Sequence, residues 1–240
     1  MVHSVKTKSS AAFLLLVVAT GAVFLGALVL TFFVAPTERM MGIVQKIFYF
    51  HVPSAIVMGV LFLVCAVASL AYLLKNDSRL DAIGATAAEL AVVFGAIALI
   101  TGPLWARKAW GAWWTWEPRL TLTLLSVFIY AGYLAMRAYG GEKEFSRRVA
   151  AGLGLMGAPA YYFIKVAVDK WGGNHPKNVV YGKGEGLMNP DMRLAFFAGL
   201  IAVLMLTVTL FVMRYRTRML KERVDTAISE MQKYDLLEDG

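Results

Sequence analysis

Apolar residues along the chain fall in six blocks that are separated by short polar segments. The blocks cover residues 11–34, 54–74, 85–104, 120–136, 149–168 and 194–213. An α-helix rises about 1.5 Å per residue, so about 20 apolar residues cross a hydrocarbon core of roughly 30 Å. The pattern predicts an all-α integral membrane protein, a bundle of six transmembrane helices that forms one polytopic domain over residues 1–240.

The segment between the first two blocks, PTERMMGIVQKIFYFHV, is amphipathic. Its apolar residues recur at helical spacing, at Met40, Ile43, Val44, Ile47 and Phe48. This spacing predicts an extracytoplasmic helix that lies flat in the membrane interface. Pro53 follows, and we expect it in the first turn of the second spanning helix, where its missing N–H costs no hydrogen bond.

Lysine and arginine are distributed unequally between the two sets of connecting segments. The even loops and both tails hold more of them than the odd loops, and the densest cluster, RYRTRMLKER, directly follows the sixth block. Cytoplasmic segments of membrane proteins are enriched in these residues. We therefore expect both termini in the cytoplasm and the three odd loops on the outer face.

Composition narrows the classes of function. The chain is 59% hydrophobic and 17% charged, with a net charge of +8, whereas soluble domains carry about 25% charged residues. The basic residues crowd the ends of the apolar blocks, as the bilayer requires, so no nucleic-acid partner is expected. The one cysteine, Cys65, lies inside an apolar block and is predicted to be a small buried residue.

Three features have the residue types of a binding site: His51, the segment WGAWWTWEPRLT at 110–121, and His175. They lie in the first, third and fifth loops or at their edges. In a chain with six spans the odd loops share one face, whichever way the protein is oriented. All three features are therefore predicted to meet at one surface.

The tryptophan segment is unusually dense, because five of the six tryptophans lie between Trp105 and Trp116. An interfacial aromatic belt is one interpretation. A belt usually spreads over many helices, whereas this cluster occupies one loop. The flat apolar face of tryptophan suits stacking on a planar ligand, which favours a binding surface. Arg119 at the edge of the segment is placed to pair with a carboxylate of that ligand.

The two histidines together predict a different role from the one that either predicts alone. Alone, His51 is typical of a residue at a helix start, and His175 of a solvated loop. On one face, with the tryptophan segment between them, they suit the two axial positions of a heme iron. Lys165, near the end of the fifth block, either snorkels to the interface or contacts a carboxylate of the ligand.

The segment WGAWWTWEPRLT resembles the WWD signature, WGxxWxWDxRLT, of the heme-handling membrane proteins of cytochrome c biogenesis. The length, the six spans and the segment FYFHVPSA resemble the heme exporter protein C (CcmC) branch of that superfamily. The resemblance implies non-covalent binding of heme b, carried as cargo. It implies a platform and two axial ligands formed by His51, His175, Trp110, Gly111, Trp113, Trp114, Trp116, Glu117 and Arg119.

The same resemblance implies a location and partners. The expected location is a bacterial cytoplasmic membrane, with the heme site on the periplasmic face. The expected partners are a periplasmic heme chaperone (CcmE-like), ABC-type subunits (CcmA- and CcmB-like) and a small membrane protein (CcmD-like). The chain departs from the family pattern at Glu117, where aspartate is usual, and at Asn174 and Pro176 beside the second histidine.

Two other classes of function remain as alternatives. A b-type cytochrome would transfer electrons through a bound heme, and a small-solute transporter would use polar or broken helices at the midplane. Gly154, Gly157 and Pro159 in the fifth block give the transporter slight support. We find no nucleophile–base pair or carboxylate pair for catalysis, so an enzyme is not expected.

Overall fold

The structure, a computed structural model, describes residues 11–140, 144–176 and 189–238, with side chains up to Lys233. The helices are α1 (Ala11–Val29, extended by a π-helical turn at Leu30–Val34), a 3₁₀ helix (Ile43–Ile47), α2 (Phe48–Lys75), α3 (Ser78–Trp110), α4 (Pro118–Gly140), α5 (Glu144–Leu155), α6 (Gly157–Trp171) and α7 (Pro190–Glu238). No β-sheet occurs among these residues. An isolated bridge joins Glu38 and Gly42.

Six helical segments are long and apolar enough to cross a membrane, which confirms the predicted fold class. They cover Ala11–Val34, Ile43–Lys75, Ser78–Trp110, Pro118–Gly140, Glu144–Trp171 and Pro190–Lys233. Most of them extend past the apolar blocks at one end or both. The polar residues at their ends continue the helix beyond the hydrocarbon core, where hydropathy carries no signal.

The start of the second span differs from the prediction. The amphipathic segment forms only the short 3₁₀ helix at 43–47, and α2 begins directly after it at Phe48. Pro53 therefore lies inside α2, one turn further along than expected, and the predicted first-turn position was wrong. The helix begins early because Phe48 and Tyr49 pack into an apolar cluster with Phe196 of α7.

Lys46 joins the 3₁₀ helix to the end of the first span. It is buried, and its ammonium donates hydrogen bonds to the carbonyl oxygens of Thr31 (2.8 Å), Phe32 (3.1 Å) and Ala35 (3.2 Å). An ammonium has three N–H donors, and each has an acceptor here. The last carbonyls of a helix lack partners within the helix, so Lys46 caps the first span from a neighbouring segment.

Four helices enclose the centre of the bundle. Helix α2 packs against α3 and α6, and α4 packs against the same two helices on the other side. Their apolar contacts centre on Phe62 and Tyr130, whose ring centroids lie 4.4 Å apart, and on the buried Cys65. Helices α1 and α7 pack together outside this group, where the hydroxyls of Thr20 and Thr209 are 2.9 Å apart.

The fifth span is broken at Met156, between α5 and α6. The Tyr130 hydroxyl lies at the break, 3.2 Å from the carbonyl of Phe62 and 3.1 Å from that of Gly154. A Cβ at position 157 would collide with this hydroxyl, which explains why glycine occupies it. A polar side chain thus fills the break, and its one hydroxyl hydrogen is within reach of both carbonyls.

Ion pairs join the helices at the end where α2 meets α3. Asp81 is buried and accepts two hydrogen bonds from Arg137, at 2.6 and 2.8 Å. Glu89 of α3 pairs with Arg214 and Arg218 of α7 at 2.7 Å each. These pairs attach α4 and α7 to α3 at the end opposite His51.

Candidate functional site

A cavity of about 770 Å³ opens among α2, α3, α4 and α6. Five of the nine residues predicted for the platform and the axial ligands line it: His51, Trp110, Trp114, Arg119 and His175. They lie in the first, third and fifth connecting segments or in the helix ends beside them, as the span count predicted. We call the end of the bundle that holds this cavity the histidine end.

The first histidine is held in one tautomer by helix α3. His51 lies in the first turn of α2, and its Nδ1 is 2.8 Å from the hydroxyl of Thr101. That hydroxyl donates its only hydrogen to the carbonyl of Ile97, at 2.6 Å. Because the hydroxyl has no second hydrogen to give, Nδ1 of His51 must be the donor. The lone pair of the neutral ring is therefore on Nε2.

Glycine at position 102 allows α3 to approach this ring closely. A Cβ there would lie 3.3 Å from Cε1 of His51, tighter than an ordinary van der Waals contact. Thr101 and Gly102 therefore fix the ring from two adjacent positions of one helix. Neither residue was singled out in the sequence, where each looked like an ordinary member of an apolar block.

A different hydrogen-bond acceptor fixes the second histidine in the same tautomer. Nδ1 of His175 lies 3.0 Å from the carbonyl oxygen of Pro176, which accepts but cannot donate. Nδ1 therefore carries the hydrogen, and the lone pair is on Nε2. Burial, together with the smaller effect of the positive charge of Arg119, lowers the pKa of His175 from 6.5 to about 4. The imidazole is thus neutral at physiological pH and able to bind a metal.

The tryptophans divide into two groups. Trp105, Trp110 and Trp114 line the cavity, whereas Trp113 and Trp116 do not and are 57% and 76% exposed. Trp105 and Trp110 meet edge to face with ring centroids 5.6 Å apart. Trp105 was counted in the cluster but not predicted as a site residue. Its membership of that cluster was the available signal, and in the structure it shares one face of α3 with Ala98 and Gly102, which also line the cavity.

Gly111 and Glu117 lie near the cavity without lining it. Gly111 ends α3 with a φ of 77°, a left-handed conformation that favours glycine, and its carbonyl accepts a hydrogen bond from Arg107. Oε2 of Glu117 accepts a hydrogen bond of 2.7 Å from the backbone N–H of Asn174. Glu117 therefore fastens the loop that carries the second histidine to the tryptophan segment.

The close approach of this loop requires a glycine. Gly173 has a φ of 137°, and a Cβ there would lie 2.8 Å from Oε2 of Glu117. The sequence Gly172–Gly173–Asn174 thus lets a backbone pass over the carboxylate and donate to it. The link ties the fifth connecting segment to the third, one residue before His175.

Buried polar groups without partners concentrate around this site. Among the described residues they include the indole Nε1 atoms of Trp105 and Trp114, the hydroxyls of Thr115 and Thr121, and Oε1 of Glu117. Buried donors in native proteins are normally paired. The two indole N–H groups belong to cavity-lining residues, so an acceptor on a ligand would satisfy them.

Methionine is another common axial ligand of heme iron, and two methionines, Met188 and Met192, follow His175 in the chain. Met192 packs against the apolar cluster of Phe48, Tyr49 and Phe196 rather than lining the cavity. Met188 lies outside the described residues.

The fold and this site define an all-helical, multi-pass membrane protein with a cavity lined by tryptophan and histidine at one end of its bundle. The family model described as heme exporter protein C matches residues 3–230. The chain belongs to this family, whose members function in heme export and cytochrome c biogenesis and are generally not catalytic. The resemblance to the CcmC branch is thereby confirmed.

Curated relatives agree over most of their lengths. The heme exporter protein C of Bradyrhizobium diazoefficiens is 32% identical over 190 residues, which cover 79% of this chain and 72% of the relative. That of Escherichia coli K12 is 31% identical over 186 residues, 78% of this chain and 75% of the relative. A putative cytochrome c biosynthesis ccmC-like mitochondrial protein of Marchantia polymorpha is 30% identical over 193 residues, covering 79% and 80%.

Proposed function

We propose that this protein carries heme b non-covalently in the cavity at the histidine end, with His51 and His175 as the two axial ligands. Trp110 and Trp114 supply the flat apolar wall, and Arg119 pairs with a heme carboxylate. Heme is cargo here, so the site has to hold it firmly and also release it.

One observation supports the ligand assignment above the others. Both imidazoles line one cavity, and both carry their hydrogen on Nδ1, where Thr101 or the carbonyl of Pro176 accepts it. This leaves two Nε2 lone pairs for iron. A histidine that binds a metal commonly donates the N–H of its other ring nitrogen to a neighbouring group, and this hydrogen bond fixes both the tautomer and the ring orientation.

The other predicted residues take supporting roles in this proposal. Trp113 and Trp116 extend the aromatic platform beyond the cavity mouth, as its exposed part. Gly111 shapes the turn that brings the platform over the cavity. Glu117 acts on His175 through the loop that it fastens, instead of touching heme itself.

The spectrum of the purified protein tests the ligand pair. We expect a six-coordinate heme with two imidazole ligands. His51→Ala and His175→Ala should each open one position, which added imidazole should fill, and the double variant should lose heme. A six-coordinate spectrum in His175→Ala without imidazole would exclude His175, and heme retained by the double variant would exclude ligation by this pair.

We further propose that both termini lie in the cytoplasm and that the histidine end faces the periplasm of a bacterial inner membrane. There the protein would present heme to a CcmE-like periplasmic chaperone, within a complex of CcmA-, CcmB- and CcmD-like subunits. The excess of lysine and arginine in the even loops and tails supports this orientation, and the names of the relatives support the pathway.

Reporter fusions at Gly141, Asn174 and Gly240 test the orientation. The proposal expects cytoplasmic signals at Gly141 and Gly240 and a periplasmic signal at Asn174. The reverse pattern would place the histidine end in the cytoplasm, where a periplasmic chaperone has no access to it.

A further inference from the structure

Helix α6 contributes one charged residue to the cavity. Tyr161, Ile164 and Lys165 line it, and Ile164 is buried while Lys165 is exposed at this position. Tyr162 and Phe163 are exposed and do not line the cavity. Residues 164 and 165 lie three and four positions after residue 161, about one helical turn, so the three share one face. The position of Lys165 on this face is therefore set by the same packing that buries Ile164.

Lys165 has no hydrogen bond or ion pair with any residue that the structure describes. It lies six residues before the end of α6, within a membrane-spanning segment. A cation at such a depth is costly, and membrane proteins usually keep one only where it pairs or meets a ligand. The four-carbon chain of lysine gives the ammonium several ångströms of reach toward the mouth.

The ionisable residues around the cavity are unbalanced. The described residues that line it include Arg119 and Lys165 but no aspartate or glutamate. His175 adds no positive charge, because its lowered pKa keeps it neutral. The unpartnered N–H groups of Trp105 and Trp114 add donors to the same wall. The cavity therefore presents two cations and two N–H donors, which suits a ligand that carries two carboxylates.

We propose that Lys165 is the second carboxylate anchor of the cavity, so that Arg119 and Lys165 each hold one of the two acidic groups of a planar dicarboxylic ligand. This inference rests on the proposed function, in which the ligand is heme and the acidic groups are its two propionates. The anchors come from different helices, α4 and α6, so the pair also fixes how the ligand is rotated within the cavity.

The full-length protein in detergent tests the proposal, with ferric heme and its dimethyl ester as matched probes. The ester keeps the iron and the flat ring but has no carboxylate. Lys165→Met keeps the length of the side chain without its charge, and Lys165→Arg keeps the charge. Lys170→Met is the control, because Lys170 lies on the same helix but does not line the cavity.

We expect Lys165→Met to weaken binding of ferric heme about ten- to a hundredfold, the effect of losing a hydrogen bond between charged groups. It should leave the dimethyl ester unaffected, and Lys165→Arg should bind heme nearly as the wild type does. Lys170→Met should change neither titration. The absorbance change on titration gives each dissociation constant.

Provided that the wild type shows two imidazole ligands, either of two results would overturn the inference. Unchanged heme binding in Lys165→Met means that the ammonium reaches the lipid interface instead. Equal loss of heme and ester in a folded variant means that Lys165 acts through shape and not through charge. If neither probe gives the spectrum of a heme with two axial imidazole ligands in the wild type, the proposed function fails, and this inference fails with it.

Discussion

Replacing Glu117 with alanine tests whether a carboxylate outside the cavity controls an iron ligand inside it. The change removes the 2.7 Å hydrogen bond to the N–H of Asn174 and leaves the loop of His175 without its link to the tryptophan segment. The loop should then leave its place more often, carrying the imidazole with it.

The size of the effect follows from the type of bond. A hydrogen bond to a charged group contributes about 1.5–3 kcal/mol, and the low end applies because this bond is exposed. Since about 1.4 kcal/mol is a factor of ten, the ratio of bound to unbound His175 should fall about tenfold. Glu117→Gln keeps an oxygen acceptor without the charge, so its effect should be smaller.

Competition with added imidazole measures this ratio. Imidazole takes the iron position only when His175 is away, so half-saturation in Glu117→Ala should need about one-tenth of the concentration that the wild type needs. In a His175→Ala background the same change should have no further effect, because residues that act through one contact are not additive. Glu144→Ala, an exposed acid on α5, is the control.

An unchanged half-saturation in Glu117→Ala would refute the fastening role. A tenfold shift that persists in the His175→Ala background would also refute it, because Glu117 would then act on heme directly, as the sequence pattern implied.

Two further predictions follow from the site. Trp114→Ala should weaken heme binding several-fold more than Trp116→Ala, because of the two only Trp114 lines the cavity. An aromatic contact contributes about 0.5–1.5 kcal/mol beyond burial. Equal losses in heme titrations would instead favour a platform to which both rings contribute alike. The pKa of the free His175 imidazole is lowered to about 4, and iron competes with the proton for Nε2, so ligation should stay constant as pH falls from 7.5 to about 5 and be lost only below about 4. A spectral midpoint near 6.5 would indicate a solvated imidazole.

Hydropathy and loop order were sufficient to predict the number of spans and the meeting of three distant segments. Both depend only on the length of apolar blocks and on the alternation of loops between two faces. The early start of α2 and the inward position of Pro53 were missed. They depend on the packing of Phe48 and Tyr49 against α7, which no local pattern encodes.

The division of roles within the tryptophan segment also could not be predicted from the sequence. Trp114 and Trp116 are two positions apart in one loop, yet only the first faces the cavity. The role of Glu117 was hidden for a related reason, because its partner is a backbone N–H about 60 positions away. Thr101, which sets the tautomer of His51, lies in another helix and resembles any small polar residue of a membrane span.

The cap formed by Lys46 gives the first span a part in the chemistry of the site. Most of the surface of α1 is exposed, as in a simple anchor, but three of the last carbonyls of this span hold a residue only five positions before His51. A shift of the anchor along the membrane normal would therefore be transmitted to the iron ligand. Bilayer thickness, which sets the depth of such an anchor, thereby becomes a variable in how tightly the cargo is held.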